Sequence, residues 1–193
     1  MIIRKLYEFE NAHIVRLCGS KRCRTSIHGH SYRCEILLSS NFLDEAGMVY
    51  DFGYMKLGIR ELIDSFDHAV TIYARDDASY IADLKKHSAR WVQIPLNPSA
   101  EQFCRIFFVL IDRLLSLTQM QNGEREVKLH SVIVHETDTG YAQCFKKDAY
   151  NVKMGEVNLS EIVFSEGVRA EWEDAELFEK IKLGKKIVNP KEV

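Results

Sequence analysis

The sequence of 193 residues contains no apolar run that approaches the roughly 20 residues needed to cross a bilayer. The segment Met1-Ile-Ile-Arg-Lys-Leu-Tyr-Glu8 carries charges where a signal peptide would have its apolar stretch. A basic excess is also missing, since 26 Lys and Arg residues stand against 28 Asp and Glu residues. These absences predict a cytoplasmic protein with no membrane and no nucleic-acid partner.

Cysteine pairing patterns are missing as well. The chain has five cysteines, an odd number, and no C-x-x-C spacing, which argues against a disulfide framework or a thiolate zinc site. Cys34, Cys104 and Cys144 are expected to be small buried apolar residues. Cys18 and Cys23 lie in a polar stretch rich in cations, which favour the thiolate form, so these two are the candidates for reactivity.

What the chain does contain is regular hydrophobic patterning over the length of one domain. Its 46% apolar and 28% charged residues suit a soluble protein with a sizeable core. Strands are predicted over about residues 2–14, 29–40, 126–137 and 140–148, long helices over about 53–66 and 99–117, and a short helix over 77–87. Ser99, with Gln102 three residues further on, predicts a capping box at the start of the second long helix.

The order β-β-α-α-β-β, without crossover strands, predicts an α+β fold with a four-stranded antiparallel sheet and two long helices on one face. Open sheet edges invite pairing between chains, so we expect a homo-oligomer. The charged segment 149–193 is predicted to be a peripheral C-terminal extension, with a helix and a loose terminus, of a domain that spans 1–148.

Three histidines stand out at the ends of the first two strands. His28 and His30 are two apart on a strand and therefore point to one face, while His13 ends the preceding strand. Three imidazoles with one open position are the ligand set of a catalytic zinc rather than a structural one. The alternative is a set of polar loop histidines without a metal.

Several motifs in one order resemble the 6-pyruvoyltetrahydropterin synthase / 6-carboxytetrahydropterin synthase family. The resemblance covers roughly residues 5–146. Its motifs are Phe9-Glu-Asn-Ala-His13, Cys23 followed by His28-Gly-His30-Ser-Tyr32, Gly47-Met-Val-Tyr-Asp-Phe52, Asp67-His68, Asn97-Pro-Ser-Ala-Glu101 and Glu136-Thr137. The resemblance implies the tunnelling fold, in which sheets of several subunits join into a barrel, commonly a hexamer, with active sites at subunit interfaces.

The resemblance also implies roles for individual residues. His13, His28 and His30 would bind Zn²⁺, which polarises substrate hydroxyls as a Lewis acid. Cys23 would be the general base, and Asp67 with His68 a proton relay. Glu136 would anchor the pterin ring, with help from Thr137 and Ser99.

The spacing of the cysteine departs from both branches of the family. Cys23 lies five residues before His28. The bacterial carboxy-forming enzymes typically have four and the mammalian pyruvoyl enzymes six, so the loop must shift slightly and Cys18 remains a rival base.

The stretch around Asp67-His68 departs too. The family often continues with Leu-Asn, whereas this chain has Ala69-Val-Thr71. Because adjacent residues on an extended chain face opposite ways, the carboxylate partner of His68 is expected to be another Asp, such as Asp51, rather than Asp67. Lys21, Arg22 and Arg24 are equally consistent with a triphosphate site and with a solvated cluster.

The function implied by the resemblance is a zinc-dependent lyase acting on 7,8-dihydroneopterin triphosphate. One outcome gives 6-carboxy-5,6,7,8-tetrahydropterin with acetaldehyde and triphosphate, in queuosine and 7-deazapurine biosynthesis. The alternative keeps the side chain and gives 6-pyruvoyltetrahydropterin. A third reading is a pterin- or metal-binding homologue without lyase activity.

Overall fold

The computed structural model describes all residues from 1 to 193 as one chain of nine strands and seven helices. The strands are β1 (Ile2–His13), β2 (His28–Ser39), β3 (Ala69–Tyr73), β4 (Trp91–Ile94), β5 (Thr118–Gln119), β6 (Lys128–His135), β7 (Tyr141–Cys144), β8 (Val163–Phe164) and β9 (Ile187–Val188). The helices are α1 (Lys21–Thr25), α2 (Gly58–Asp64), α3 (Ala78–His87), α4 (Ala100–Leu117), α5 (Lys146–Ala149), α6 (Glu166–Arg169) and α7 (Leu177–Leu183). Short 3-10 turns lie at Tyr54–Lys56, Val152–Met154 and Leu159–Glu161.

The first two strands form the antiparallel pair that the sequence predicts. Their register runs from Ile2 opposite Ser39 to His13 opposite His28 without interruption. Alternate side chains such as Phe9 and Tyr32 are buried and stack with ring centroids 4.9 Å apart. Because side chains alternate between the two faces, this register carries both histidine-bearing strand ends to the same place.

The main sheet is larger than the four antiparallel strands expected, and it is mixed. Its order is β7-β6-β2-β1-β3-β4-β8, with β5 and β9 in a separate two-stranded sheet. β3 runs parallel to β1 and to β4, so the expectation of no crossover strands was wrong. The segment Ala69–Tyr73 is a nearly continuous buried run, which is the pattern of a parallel strand rather than of an alternating one.

The helical layer contains one long helix rather than two. α4 has 18 residues and packs on β6 and β7, whereas α2 has seven and follows a separate 3-10 turn. The expected capping box is absent, because Ser99 makes no side-chain cap and Gln102 Oε1 instead accepts from Arg105 Nη1 at 2.7 Å. No helix has the length and apolar character that a membrane crossing requires.

The C-terminal segment is packed far more closely than a peripheral helix with a loose terminus would be. β8 adds a strand to the sheet, antiparallel to β4, and the segment places Phe164, Trp172, Leu177, Phe178 and Ile181 in the core. Arg105 of α4 donates to five carbonyl oxygens within residues 148–155, which anchors the segment where it leaves α5. The two sides of this junction therefore share one hydrophobic core.

The outer edge of β1 remains largely open. Only Asn11 and Ala12 pair with β3, so the strand from Ile2 to Glu10 has no neighbour on that side. Ile2 and Leu6 are about half exposed on the uncovered sheet face, at 50% and 45%. An open strand edge of this length is a template for pairing with another chain.

Candidate metal centre and adjoining cleft

The structure brings His13, His28 and His30 together at one end of the β1–β2 pair. His13 and His28 are direct cross-strand partners, and His30 follows two residues later on the same face. One nitrogen of each imidazole lies within 4.8 Å of the other two. Three side chains from two hydrogen-bonded strands are thus held by the sheet itself.

His13 is the most constrained of the three. Its side chain is fully buried, and Nδ1 lies 2.6 Å from the carbonyl oxygen of Pro98, which assigns the proton to Nδ1 and leaves the lone pair on Nε2. Burial, reinforced by the two neighbouring imidazoles, lowers the pKa of His13 to about 4, against the opposing effect of the Pro98 hydrogen bond. His13 is therefore neutral near pH 7, as a metal ligand must be.

The donor set fits a metal ion with an open coordination position. Nδ1 of His28 lies 3.0 Å from the carbonyl oxygen of Ser26, so its Nε2 is also free to coordinate. A ligand histidine whose other nitrogen donates to a backbone carbonyl has its tautomer and ring orientation fixed. His13 and His28 are held in this way, and three imidazole nitrogens without a cysteine are the donors of a catalytic zinc rather than of a structural one.

Glu136 lies against these histidines at the end of β6. Its Oε1 is 3.8 Å from Nε2 of both His13 and His30 and accepts from the buried Tyr32 hydroxyl at 3.4 Å. Burial, followed by the Glu136 charge and hydrogen bond, raises the pKa of Tyr32, so this hydroxyl remains a donor. The carboxylate therefore faces the point on which the imidazoles converge.

Thr137 and Ser99 occupy the border of this region. Thr137 is exposed, and its Oγ1 accepts from the Gly140 backbone nitrogen at 3.0 Å within the β6–β7 turn. Ser99 directly follows the residue that holds His13 and starts α4 through its carbonyl oxygen, which accepts from Phe103 N. Neither side chain is shown in contact with the imidazoles.

Asp67 and His68 form a hydrogen-bonded pair after α2. Asp67 Oδ2 lies 2.9 Å from Nδ1 of His68, while Oδ1 accepts from Glu10 N at 2.7 Å. The expected partner Asp51 is wrong, since it accepts from Gly53 N in its own turn. His68 has φ of 48°, a left-handed conformation that costs a non-glycine residue about 1–2 kcal/mol. This turn lets adjacent side chains meet, which the extended chain assumed from the sequence does not allow.

Asn11 is a supporting residue that the sequence motifs contain but to which they assign no role. Its buried Nδ2 donates to the carbonyl oxygens of Phe66 and Ala69, at 2.8 and 3.0 Å, and Oδ1 accepts from Thr71 Oγ1 at 2.9 Å. It thus spans the Asp67–His68 turn from β1. The signal was present in the sequence, because Asn11 interrupts an inward-facing row of aromatic residues and a buried amide must find partners.

An open cleft of about 530 Å³ adjoins the metal centre. Its lining includes Gly29 and His30 of β2 and His68 of the turn after α2. A Cβ on Gly29 would come within 3.0 Å of the Asn11 carbonyl oxygen, so the close approach of the strands favours glycine there. Of the proposed metal, relay, base and anchor residues, only His30 and His68 line this cleft, and His13, His28, Asp67, Cys23 and Glu136 do not.

Cys23 lies on α1, the short helix that connects the two histidine-bearing strands. It is partly buried, and its carbonyl oxygen accepts from Val15 N at 3.0 Å. Cys18 is also partly buried, but its thiol donates to the carbonyl oxygen of Ser20 at 3.3 Å. Arg24 donates to the carbonyls of Cys18 and Gly19 and so braces the loop. The roles of both cysteines stay predictions.

The mixed sheet, the helices packed on it and the three-histidine end of the β1–β2 pair define the class as an α+β tunnelling fold. A family model described as 6-pyruvoyl tetrahydropterin synthase matches residues 2–147, and the chain belongs to this family. It is 38% identical over 182 residues to a 6-carboxy-5,6,7,8-tetrahydropterin synthase of Helicobacter pylori, covering 94% of this chain and 91% of the relative.

Solved structures of the family show the same fold. The 6-pyruvoyl tetrahydropterin synthase of Caenorhabditis elegans superposes with a TM-score of 0.51 at 20% identity, over 75% of this chain and 94% of that one. A variant of the Plasmodium vivax 6-pyruvoyltetrahydropterin synthase gives 0.54 at 23% identity, over 75% and 97%. The match to the Helicobacter pylori protein is too long to end at residue 148, so it includes part of the C-terminal segment.

Proposed function

We propose that the protein is a zinc-dependent lyase that converts 7,8-dihydroneopterin triphosphate and one water molecule to 6-carboxy-5,6,7,8-tetrahydropterin, acetaldehyde and triphosphate. The observation that carries the proposal is the neutral, buried His13, whose Nε2 faces His28, His30 and the Glu136 carboxylate. A cation site bordered by a carboxylate suits a substrate that has both hydroxyls to polarise and ring N–H groups to bind.

The metal centre and the anchor have separate tasks. Zinc held by His13, His28 and His30 would supply Lewis acidity for the side-chain hydroxyls of the pterin. Glu136 would accept two adjacent N–H bonds from the 2-amino-4-oxo ring, an arrangement that a carboxylate satisfies side by side. Thr137 and Ser99 would complete the ring contacts at the border.

Proton transfer would be carried out by the Asp67–His68 turn and by Cys23 on α1. Cys23 would remove a proton beside the polarised hydroxyl, and His68, oriented by Asp67 at 2.9 Å, would relay protons across the cleft. Lys21 and Arg22 are exposed beside Cys23, whereas Arg24 is occupied by loop carbonyls. The two free cations are therefore the better candidates for the triphosphate.

The carboxy product is favoured over the pyruvoyl product by the curated relatives. The Helicobacter pylori protein, which matches nearly the whole chain, is named a 6-carboxy-5,6,7,8-tetrahydropterin synthase. Such a product would place this protein in queuosine and 7-deazapurine biosynthesis. The 6-pyruvoyl alternative retains the side chain and would release no acetaldehyde.

One assay separates these possibilities. The zinc-loaded protein is incubated with 7,8-dihydroneopterin triphosphate, and pterin products, triphosphate and acetaldehyde are measured. We expect acetaldehyde and 6-carboxytetrahydropterin in equal amounts. Triphosphate without acetaldehyde would favour the pyruvoyl synthase, and normal zinc and pterin binding without turnover would favour a non-catalytic homologue.

We also propose that the protein acts as a homo-oligomer, a trimer or hexamer, with active sites at subunit interfaces. The unpaired edge of β1 and the half-exposed Ile2 and Leu6 support this assembly. Sedimentation velocity measures it directly. A Leu6→Lys variant should dissociate and lose turnover, and a wild-type protein that sediments as a monomer at full activity would contradict the proposal.

A further inference from the structure

The turn that carries Asp67 and His68 is held from behind by Arg90, which precedes β4. Arg90 Nε donates to the carbonyl oxygen of Asp67 at 3.0 Å, and Nη2 donates to that of Asp64 at 2.9 Å. These carbonyls lie at the end of α2 and in the turn after it, where a cation is a favourable partner. Arg90 therefore fixes the backbone immediately before His68.

The remaining nitrogen of Arg90 faces the C-terminal segment. Nη1 lies 2.5 Å from Oε2 of Glu171, the one carboxylate in ion-pair contact with this guanidinium. The Arg90 side chain is only 19% exposed, whereas that of Glu171 is 66% exposed. Glu171 thus neutralises, from the surface, a guanidinium whose other nitrogens are directed at the turn.

The next two residues of the C-terminal segment form hydrogen bonds to α2 and to the turn after it. Trp172 Nε1 donates to the buried Ser65 Oγ at 2.9 Å, and Glu173 N donates to Glu61 Oε1 at 3.0 Å. Three consecutive residues, 171–173, therefore contact α2, the turn or Arg90. The pairing of β8 with β4 brings the segment to this position.

The left-handed φ of His68 explains why the turn needs these contacts. A non-glycine residue keeps such a conformation only where its surroundings determine it. Asn11 fixes the carbonyls on either side of the Asp67–His68 pair, and Arg90 fixes that of Asp67 itself. We propose that Arg90 and Glu171 form a positioning pair through which the C-terminal segment holds His68 toward the cleft. This inference rests on the proposed function only in treating His68 as a proton relay.

The test replaces Arg90 in the full-length protein. Arg90→Met removes both carbonyl contacts, and we expect kcat to fall about 10- to 100-fold, as a displaced catalytic group does, with KM and zinc content unchanged. Amide hydrogen exchange should rise at residues 66–69. Arg90→Lys, which keeps the charge and part of the donation, should recover most of kcat. Glu171→Gln should lower kcat by a few-fold in the same way.

A matched control is Glu179→Gln, which breaks the exposed Glu179–Lys182 ion pair of 2.6 Å on α7. It should leave kcat and the exchange at 66–69 unchanged. Arg90→Met with kcat within twofold of wild type and unchanged exchange would overturn the inference. So would a loss of activity that parallels loss of zinc and of melting temperature. If the wild type shows no turnover, the proposed lyase function fails, and the exchange at residues 66–69 still decides the positioning.

Discussion

The metal centre and the turn that carries His68, called the metal wall and the relay wall below, are built in different ways. The metal wall consists of side chains on paired strands, with His13 fully buried and bonded to Pro98. The relay wall is a turn in which His68 is exposed and left-handed, held by Asn11 and Arg90. Strand register brings the three histidines of the first wall together, whereas the second depends on residues from β1, from the segment before β4 and from the C-terminal segment. The comparison teaches that strand register brings the three ligands together, with Pro98 fixing the ring of His13, whereas the relay turn is held entirely by residues from other segments.

The largest effect is expected on the metal wall, from His28→Ala. Loss of one of three ligands should abolish stoichiometric zinc binding and lower turnover at least about 10⁴-fold, because the Lewis acid is lost. Zinc per chain is measured by atomic absorption, beside the turnover assay. His130→Ala is the control, since His130 packs on Phe145 outside the site. One zinc per chain in His28→Ala would contradict the ligand assignment.

The sequence predicts the metal wall well because its signals are local. A two-residue period placed His28 and His30 on one face, and the β1–β2 register is the expected one. The relay wall was harder, since the left-handed φ of His68 and the contacts of Arg90 join segments far apart in the chain. The same reason hid β3, β4 and β8, which are short and pair with segments far from them in the chain.

A second test identifies which cysteine acts as the general base. Cys23→Ala should lower kcat about 100- to 1000-fold, in the range of a lost general base, with zinc content unchanged. Cys18→Ala is the matched control on the same loop, and its activity should stay within twofold of wild type. The reverse ranking of the two variants would assign the base to Cys18.

The link between the walls is tested by Asn11→Ala. Removal of this amide leaves the carbonyl oxygens of Phe66 and Ala69 without a buried donor, so we expect a loss of about 2–3 kcal/mol in the free energy of unfolding. Chemical denaturation measures this change. Asn41→Ala, at an exposed position, should change it by less than about 0.5 kcal/mol. If Asn11→Ala and Asn41→Ala have equal free energies of unfolding, Asn11 does not support the turn, and the two walls are held independently.

Glu136→Gln separates substrate anchoring from metal binding. The amide can accept only one of two adjacent N–H bonds and carries no charge, so KM should rise about tenfold with zinc content unchanged. Glu156→Gln, at an exposed position in the C-terminal segment, is the control. A loss of zinc rather than a rise in KM would make Glu136 a fourth ligand, and the contrast between the walls would then include a carboxylate on the metal side.

The smallest effect concerns the backbone of the relay wall itself. His68→Gly and His68→Ala both remove the imidazole, so their difference in unfolding free energy isolates the left-handed conformation. We expect the glycine variant to be the more stable by about 1 kcal/mol, because an alanine is strained at this φ. At Ala82, exposed within α3, replacement by glycine should instead destabilise by about 1 kcal/mol. An alanine variant at position 68 as stable as the glycine variant would mean that the turn relaxes without strain, and the relay wall would then need no support from Asn11 or Arg90.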